Sequence, residues 1–440
     1  MVNLSHTLPV ALHSRTNKGL YNRRVALTAE VALLNRQAIA LAADSAVTIG
    51  RERVWKTANK LFSLGPTHDI ALMIHGSGDF LSFPWEVVVK EYRKQANAKT
   101  FKTTQDCVSD FMAFLSSEKF SDERGENNSV LYPLVDYIED ILDAVSDDGS
   151  AIDIARVLER VIRVRKALER QQSILPDLDE KGFIERFSAP IAEYIDFVFE
   201  NAETDELKKE AAQLVLHWFR SKRQSSFSTG VVIAGFGEDE LFPCLYFYAV
   251  DGRVGSDLRT WEVTSRNLTK QKTAVIAPFA QQDMSFLFME GISDSYLAYL
   301  RRGIRDLLSE TLTELTPSPD DATAEVKEAA TTAAAEFASK AADRFMEKFA
   351  SHRHETFVSP VMSALGALPK EEMAAMAEAL VDLTSLRRKV DSNLETVGGP
   401  VDVAVISKGD GFVWIKRKHY FKPELNPDFP RRKSRVLGED

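Results

Sequence analysis

Two short apolar runs, residues 28–34 (TAEVALL) and 38–43 (AIALAA), stand on either side of the polar Asn35-Arg36-Gln37. Runs of this length are right for strands, and a polar turn between them dictates a β-hairpin. A turn centred on Arg36 predicts Thr28 directly across from Asp44, where cross-strand side chains come within about 5 Å. The polar segment 45–59 then leads to Lys60, which opens another strand-like run, KLFSL. A hydroxyl, a carboxylate and an ammonium are thereby expected at strand ends that converge on one edge of a sheet.

Such a trio has a definite chemistry. A threonine hydroxyl is a weak nucleophile until a base takes its proton, and the α-amine of a threonine at a chain's own N-terminus is one such base. That amine has a reference pKa of about 7.7–8.0, so a nearby cation leaves much of it neutral near pH 7. Lys60 would supply the cation, and Asp44 would hold it and balance its charge. The plain alternative is an ordinary strand threonine beside a structural ion pair, and the trio alone favours that plain alternative.

Residues 28–93 as a whole resemble the start of a proteasome β-type subunit or its bacterial HslV-type relative, members of the N-terminal-nucleophile hydrolases. The residues that carry the likeness are Thr28, Asp44-Ser45 in an AADS context, Thr48, Gly50 and Lys60, followed by MIHGSGD at 73–79. The resemblance implies catalytic roles for Thr28, Asp44 and Lys60, with Gly76 supplying the oxyanion-hole N–H and His75 as the alternative. It implies substrate contacts at Val47, Thr48, Gly50, Phe62 and Met73, with Val47, Phe62 and Met73 around the P1 side chain. Ala234-Gly235-Phe236 also fits the family pattern. Three positions depart from it. Phe279-Ala280-Gln281 stands where the family has glycine–serine–glycine, with Gln281 or Gln282 as a stand-in for the serine. Leu394-Glu395-Thr396-Val397 precedes Gly398-Gly399 where an aspartate and a serine are expected. Leu27, not glycine, precedes the nucleophile, although glycine tolerates the bent backbone that self-cleavage needs.

Composition sets the remaining bounds. The chain of 440 residues is long enough for two or three domains, or for one domain with large insertions. A net charge of −10 argues against non-specific nucleic-acid binding, and no apolar run approaches a membrane span. Cys107 and Cys244 are far apart and fit a reduced, cytoplasmic setting. No cofactor is expected, and His352, His354 and Glu355 read as a helix end with no third metal ligand in sight.

Between about 104 and 223, and again at about 297–372, apolar residues recur every three to four positions, so two helical insertions are expected. Strand patterns return at STGVVIAGF, CLYFYAV and VDVAVIS, and the resemblance implies a further strand at AVIAPFA. The fold expected from the resemblance is a four-layer α/β/β/α sandwich. Residues 1–27 form a possible propeptide, residues 28–420 the interrupted hydrolase domain, and 421–440 a flexible tail. The function expected is a threonine peptidase acting on unfolded polypeptide inside a homo-oligomer, with a ring as the form the resemblance implies, fed by a separate ATP-dependent unfoldase. A non-catalytic structural subunit and a small-molecule amidase are the alternatives.

Overall fold

The computed structural model describes residues 28–49, 53–55, 58–146, 153–199, 203–225, 227–315, 323–391 and 398–419, with positions 421, 425, 426 and 428 beyond them. The hairpin is present as strands β1 (Ala29–Asn35) and β2 (Ala38–Ala43), and every residue of both is buried. Its turn is one residue tighter than the sequence predicts. Arg36 and Gln37 alone lie between the strands, and the register pairs Glu30 with Ala43. Continued by one step, that register sets Ala29, not Thr28, opposite Asp44, whose N–H donates to Ala29 O at 3.0 Å.

Asn35 explains the tightening. Its side-chain oxygen accepts from the N–H groups of Gln37 (2.9 Å) and Ala38 (3.1 Å), so the residue acts as the last of the strand and not the first of the turn. Its Nδ2 donates to the carbonyls of Leu365 and Leu368, which pins the turn to the helical segment behind the sheet.

After the hairpin come β3 (Val47–Ile49) and β4 (Arg53–Trp55), a small antiparallel pair, then β5 (Leu61–Ser63) and β6 (Asp69–Gly76). The two-residue strands β7 (Asp79–Phe80) and β8 (Phe83–Pro84) lead into helices α1 (Trp85–Ala96) and α2 (Thr104–Leu115). Helices α3 (Glu123–Ser146), α4 (Ile154–Glu169), α5 (Glu180–Val198) and α6 (Asp205–Phe219) follow, then strands β9 (Thr229–Phe236), β10 (Cys244–Val254), β11 (Asp257–Asn267) and β12 (Ala274–Ala280). The chain closes with α7 (Asp283–Glu290), α8 (Asp294–Leu315), α9 (Ala324–Arg353), α10 (Ser359–Ala367) and α11 (Lys370–Asp391), then β13 (Asp402–Ser407) and β14 (Gly411–Lys416).

Among the described residues the long strands make two five-stranded antiparallel sheets, ordered β12-β1-β2-β13-β14 and β11-β10-β9-β6-β5. Strand side chains alternate between faces, and the apolar clusters follow that alternation. Val31 and Leu33 pack with Met373, Ala377 and Leu380 of α11. Ala32 and Leu34, on the other face of β1, pack with Ala71, Met73, Val232 and Phe247 of the second sheet. On the far face of that sheet, Leu72 and Ile74 pack with Val88 and Val89 of α1 and with Phe111 of α2. Apolar residues on both faces explain why β1 and β2 read as unbroken runs and not as alternating ones.

The first expected insertion divides. Helix α2 belongs to the core beneath the second sheet, whereas α3–α6 bury a separate apolar cluster of their own. Arg259 of β11 ties that cluster to the sheet. It is 1% exposed, pairs with Asp251, and donates to the carbonyls of Phe219 (2.8 Å) and Ser221 (2.9 Å) at the end of α6. In the second expected insertion α8 buries none of its residues and α9 only Ala338 and Ala342, while Leu365 of α10 joins the core of the first sheet. No helix among the described residues is long and apolar enough to cross a membrane.

Because Asn35 serves four backbone groups from a fully buried position, Asn35→Ala should cost about 2–4 kcal/mol in denaturant unfolding. A loss below about 1 kcal/mol, the worth of a single ordinary hydrogen bond, would contradict the anchoring role.

Candidate active site

Three strand ends meet where β1 begins. Thr28 precedes β1 and is 2% exposed, and its carbonyl accepts from Gln281 N–H at 3.2 Å just past β12. Its Oγ1 is buried without a hydrogen-bond partner among the described residues. Asp44 follows β2 and is wholly buried; Lys60 precedes β5 and is 4% exposed. The Lys60 ammonium donates to Asp44 Oδ1 at 2.6 Å.

A buried ion pair is stable only when further hydrogen bonds replace the lost water. Asp44 has them. Ala29 N–H donates to Oδ1 at 3.2 Å, and Gly398 N–H donates to Oδ2 at 3.0 Å. Lys60 is fixed through its backbone, whose carbonyl accepts from Ile74 N–H of β6 at 2.9 Å. Ser45 Oγ donates to Pro400 O at 2.5 Å and holds the same loop. The one-residue shift in the hairpin therefore still delivers Asp44 to the start of β1, through Ala29 and not through a direct pairing with Thr28. Beside it, Asp402, which pairs in register with Ala43, holds Lys418 in a second buried ion pair. Burial lowers the pKa of Lys418, and the Lys60 charge lowers it further, against the opposing pull of Asp402.

Gly76 ends β6 with φ +94°, in the left-handed region, and a Cβ there would sit 2.5 Å from the Ser228 carbonyl. Glycine is required on both counts. Next to it, the His75 ring packs against Phe247 and Phe279, with its Nε2 buried and unpartnered. Burial and, secondarily, the Lys60 charge lower the His75 pKa to about 4, so the imidazole is neutral at pH 7.

The expected substrate contacts are not all brought together. Phe62 pairs with Leu72 and faces α1 and α2, while Met73 pairs with Leu61 and faces the first sheet. The period of two along each strand sends these two side chains to opposite faces, so they do not line one pocket. Val47 and Thr48 lie on β3, paired with Trp55 and Val54. Gly50, Leu27 and the stretch 394–397 lie outside the described residues.

At the departure in 279–281, Ala280 takes φ +59°, a conformation that favours glycine, opposite Ala29 of β1. Gln281 is buried, with its backbone on Thr28 O and its side-chain oxygen accepting from Arg388 of α11. Gln282 precedes α7 and makes no side-chain capping bond. One residue of the site escaped the sequence reading. Glu30 is 2% exposed on β1, with both carboxylate oxygens unpartnered among the described residues. Its signal was a charge within an otherwise apolar run.

No family model matches the sequence, and no curated protein matches it. Solved structures do match. Anbu (ancestral beta-subunit) from Yersinia bercovieri is 10% identical over 94% of this chain and 97% of that chain, with a TM-score of 0.26. Anbu from a Hyphomicrobium species is 9% identical over 94% and 97%, with a TM-score of 0.25. The Anbu complex from Pseudomonas aeruginosa, described as a helical assembly, is 8% identical over 94% and 96%, with a TM-score of 0.26. These matches correct the resemblance read from residues 28–93. The structures named are Anbu proteins and do not single out an HslV-type peptidase, and at such identity and TM-score the likeness carries no argument about activity.

The geometry at Gly76 has a measurable consequence. Gly76→Ala should destabilise the protein by about 2 kcal/mol or more, because the left-handed backbone and the close carbonyl act together. Gly78→Ala, where a Cβ meets nothing within 4 Å, should stay within about 0.5 kcal/mol. Equal losses for the two variants in urea unfolding would contradict the reading.

Proposed function

We propose that the protein is a threonine-type amide hydrolase with Thr28 Oγ1 as nucleophile, released by cleavage of the Leu27–Thr28 bond, and that its substrate is unfolded polypeptide. The observation that carries the reading is the fully buried Asp44–Lys60 pair beside a buried Thr28 hydroxyl that no described residue engages. A purely structural ion pair in that position would stabilise less than a packed apolar pair of similar volume.

The chemistry follows from these residues. Cleavage of the Leu27–Thr28 bond frees the Thr28 α-amine. The amine takes the Oγ1 proton as Oγ1 attacks an amide carbonyl, and the leaving amine departs with that proton. Water then hydrolyses the threonine ester and regenerates the hydroxyl. Lys60 lowers the pKa of the α-amine by its charge, and Asp44 holds Lys60 in place. Backbone N–H near Gly76 holds the oxyanion, a contribution of about 3 kcal/mol for one donor. The same reading takes the apolar clusters as an α/β/β/α four-layer sandwich, with α1 and α2 outside one sheet and α7, α10 and α11 outside the other.

Two variants test the nucleophile together. Intact-mass measurement should find that wild-type chain loses residues 1–27 and that Thr28→Ala retains them. Lys60→Met should fold yet hydrolyse peptides about 10²-fold more slowly or worse. Full-length wild-type chain after long incubation, or near-wild-type turnover in Lys60→Met, would count against the assignment.

The reading extends to assembly. Helix α11 buries one face on the first sheet and leaves Leu383 (41% exposed), Leu386 (60%) and Val390 (76%) along the other. That outward stripe supports self-association of the chain. Light scattering is expected to give a homo-oligomer at micromolar concentration. Leu386→Lys should shift the distribution towards monomer, and an active wild-type monomer would overturn the assembly.

A further inference from the structure

Glu30 is the charged residue of β1, and its registered neighbours are Ala43 on β2 and Phe279 on β12. Neither flanking strand offers it a polar side chain. Alternation along β1 sends Ala29, Val31 and Leu33 towards α11 and Ala32 and Leu34 towards the second sheet. Glu30 therefore shares the inter-sheet face, two residues along from Thr28.

From the opposite sheet His75 enters the same space. It follows Ala71 and Met73 in the alternation of β6 and packs on Phe247 and Phe279. Gly230, its registered partner on β9, makes room for the ring, since a Cβ there would lie 2.1 Å from His75 Nε2. The Lys60 charge reaches both the Glu30 carboxyl and the His75 imidazole, and Asp44 also acts on Glu30. Leaving a buried polar group unpaired costs about 1–3 kcal/mol, so a carboxyl here is a poor choice for stability alone.

We propose that Glu30 is a positioning residue of the Thr28 site: uncharged, it leaves Asp44 as the sole anion bound to Lys60, and when ionised it draws the ammonium away and switches hydrolysis off. The inference rests on the assignment of Thr28 as nucleophile. The charged groups that act on Glu30 are Lys60 before β5 and Asp44 after β2, with the Asp402–Lys418 pair beyond Asp44, and His75 of β6 shares the inter-sheet face through Phe279. Burial, opposed by Lys60, raises the Glu30 pKa well above its ordinary value, and Asp44 raises it further. His75, with a pKa of about 4, stays neutral across the range in which Glu30 ionises.

The sign of the linkage is fixed. The unfolded chain ionises Glu30 near its ordinary carboxyl pKa, while the folded chain keeps the proton, so stability falls as pH rises from about 4.5 to the raised folded value. Glu30→Gln removes this dependence and keeps the shape of the side chain, and Glu30→Leu removes it with an apolar replacement.

The experiment measures melting temperature and fluorogenic-peptide hydrolysis across roughly pH 5 to 9 for the wild type and both variants. The expected result has two parts. The melting temperature of each variant should gain on the wild type as pH rises. The loss of hydrolysis with rising pH should move up by about one pH unit or more, or vanish, in the variants. A melting-temperature gap that does not change with pH means that Glu30 is not held neutral, and the proposal falls. A widening gap with an unmoved activity profile makes Glu30 merely structural; the proposal falls while Thr28 keeps its role. A widening gap with no hydrolysis by any of the three proteins defeats the Thr28 assignment, and the positioning role with it.

Discussion

The buried ion pair between Asp44 and Lys60 is the constraint on which the rest of the site depends. Two charges removed from water are costly, and mutual attraction offsets that cost only with good geometry and extra hydrogen bonds. The fold supplies them from three directions: Ala29 N–H from the neighbouring strand, Gly398 N–H from the loop before β13, and the β6 backbone behind Lys60. The first two come from neighbouring strand ends of the first sheet, and the third from the second sheet, where β5 begins beside β6. The two sheets therefore function as a clamp for charge, and the unpartnered Thr28 hydroxyl lies where the clamp closes.

Around that pair, burial sets the protonation of the neighbours. His75 is held neutral at physiological pH and Glu30 is pushed towards its acid form. With both uncharged, Lys60 is left with the Asp44 carboxylate as its counter-ion at 2.6 Å. A cation balanced by a single anion can still polarise a third group, which is what lowering the pKa of an adjacent α-amine requires. A second carboxylate beside Lys60 would cancel that effect.

How much of this was legible in the sequence depended on range. The hairpin and the strand runs at β9, β10 and β13 follow from local patterning, and all are present. The register slipped by one residue because Asn35 reads as a turn former, yet its side chain closes the turn from within the strand. The resemblance groups Phe62 with Met73 around one side chain, whereas strand alternation separates them across a sheet. Helix α2 carries the same amphipathic pattern as α3–α6, and nothing local tells which core it joins. Glu30 was passed over because one acidic residue in a buried strand has no periodic signature. Its meaning appears only when Lys60 and Asp44, far along the chain, are brought close enough to act on it.

The central claim is that the Thr28 hydroxyl is the nucleophile, and covalent labelling tests it most directly. A peptide-based β-lactone opens when a hydroxyl attacks its carbonyl, leaving an acyl ester on that oxygen and a new hydroxyl on the label. Peptide mapping after such treatment should locate the ester on a peptide that begins at Thr28, and Lys60→Met should suppress it. Modification at any other residue, or none on Thr28 in a folded and fully processed chain, would contradict the account.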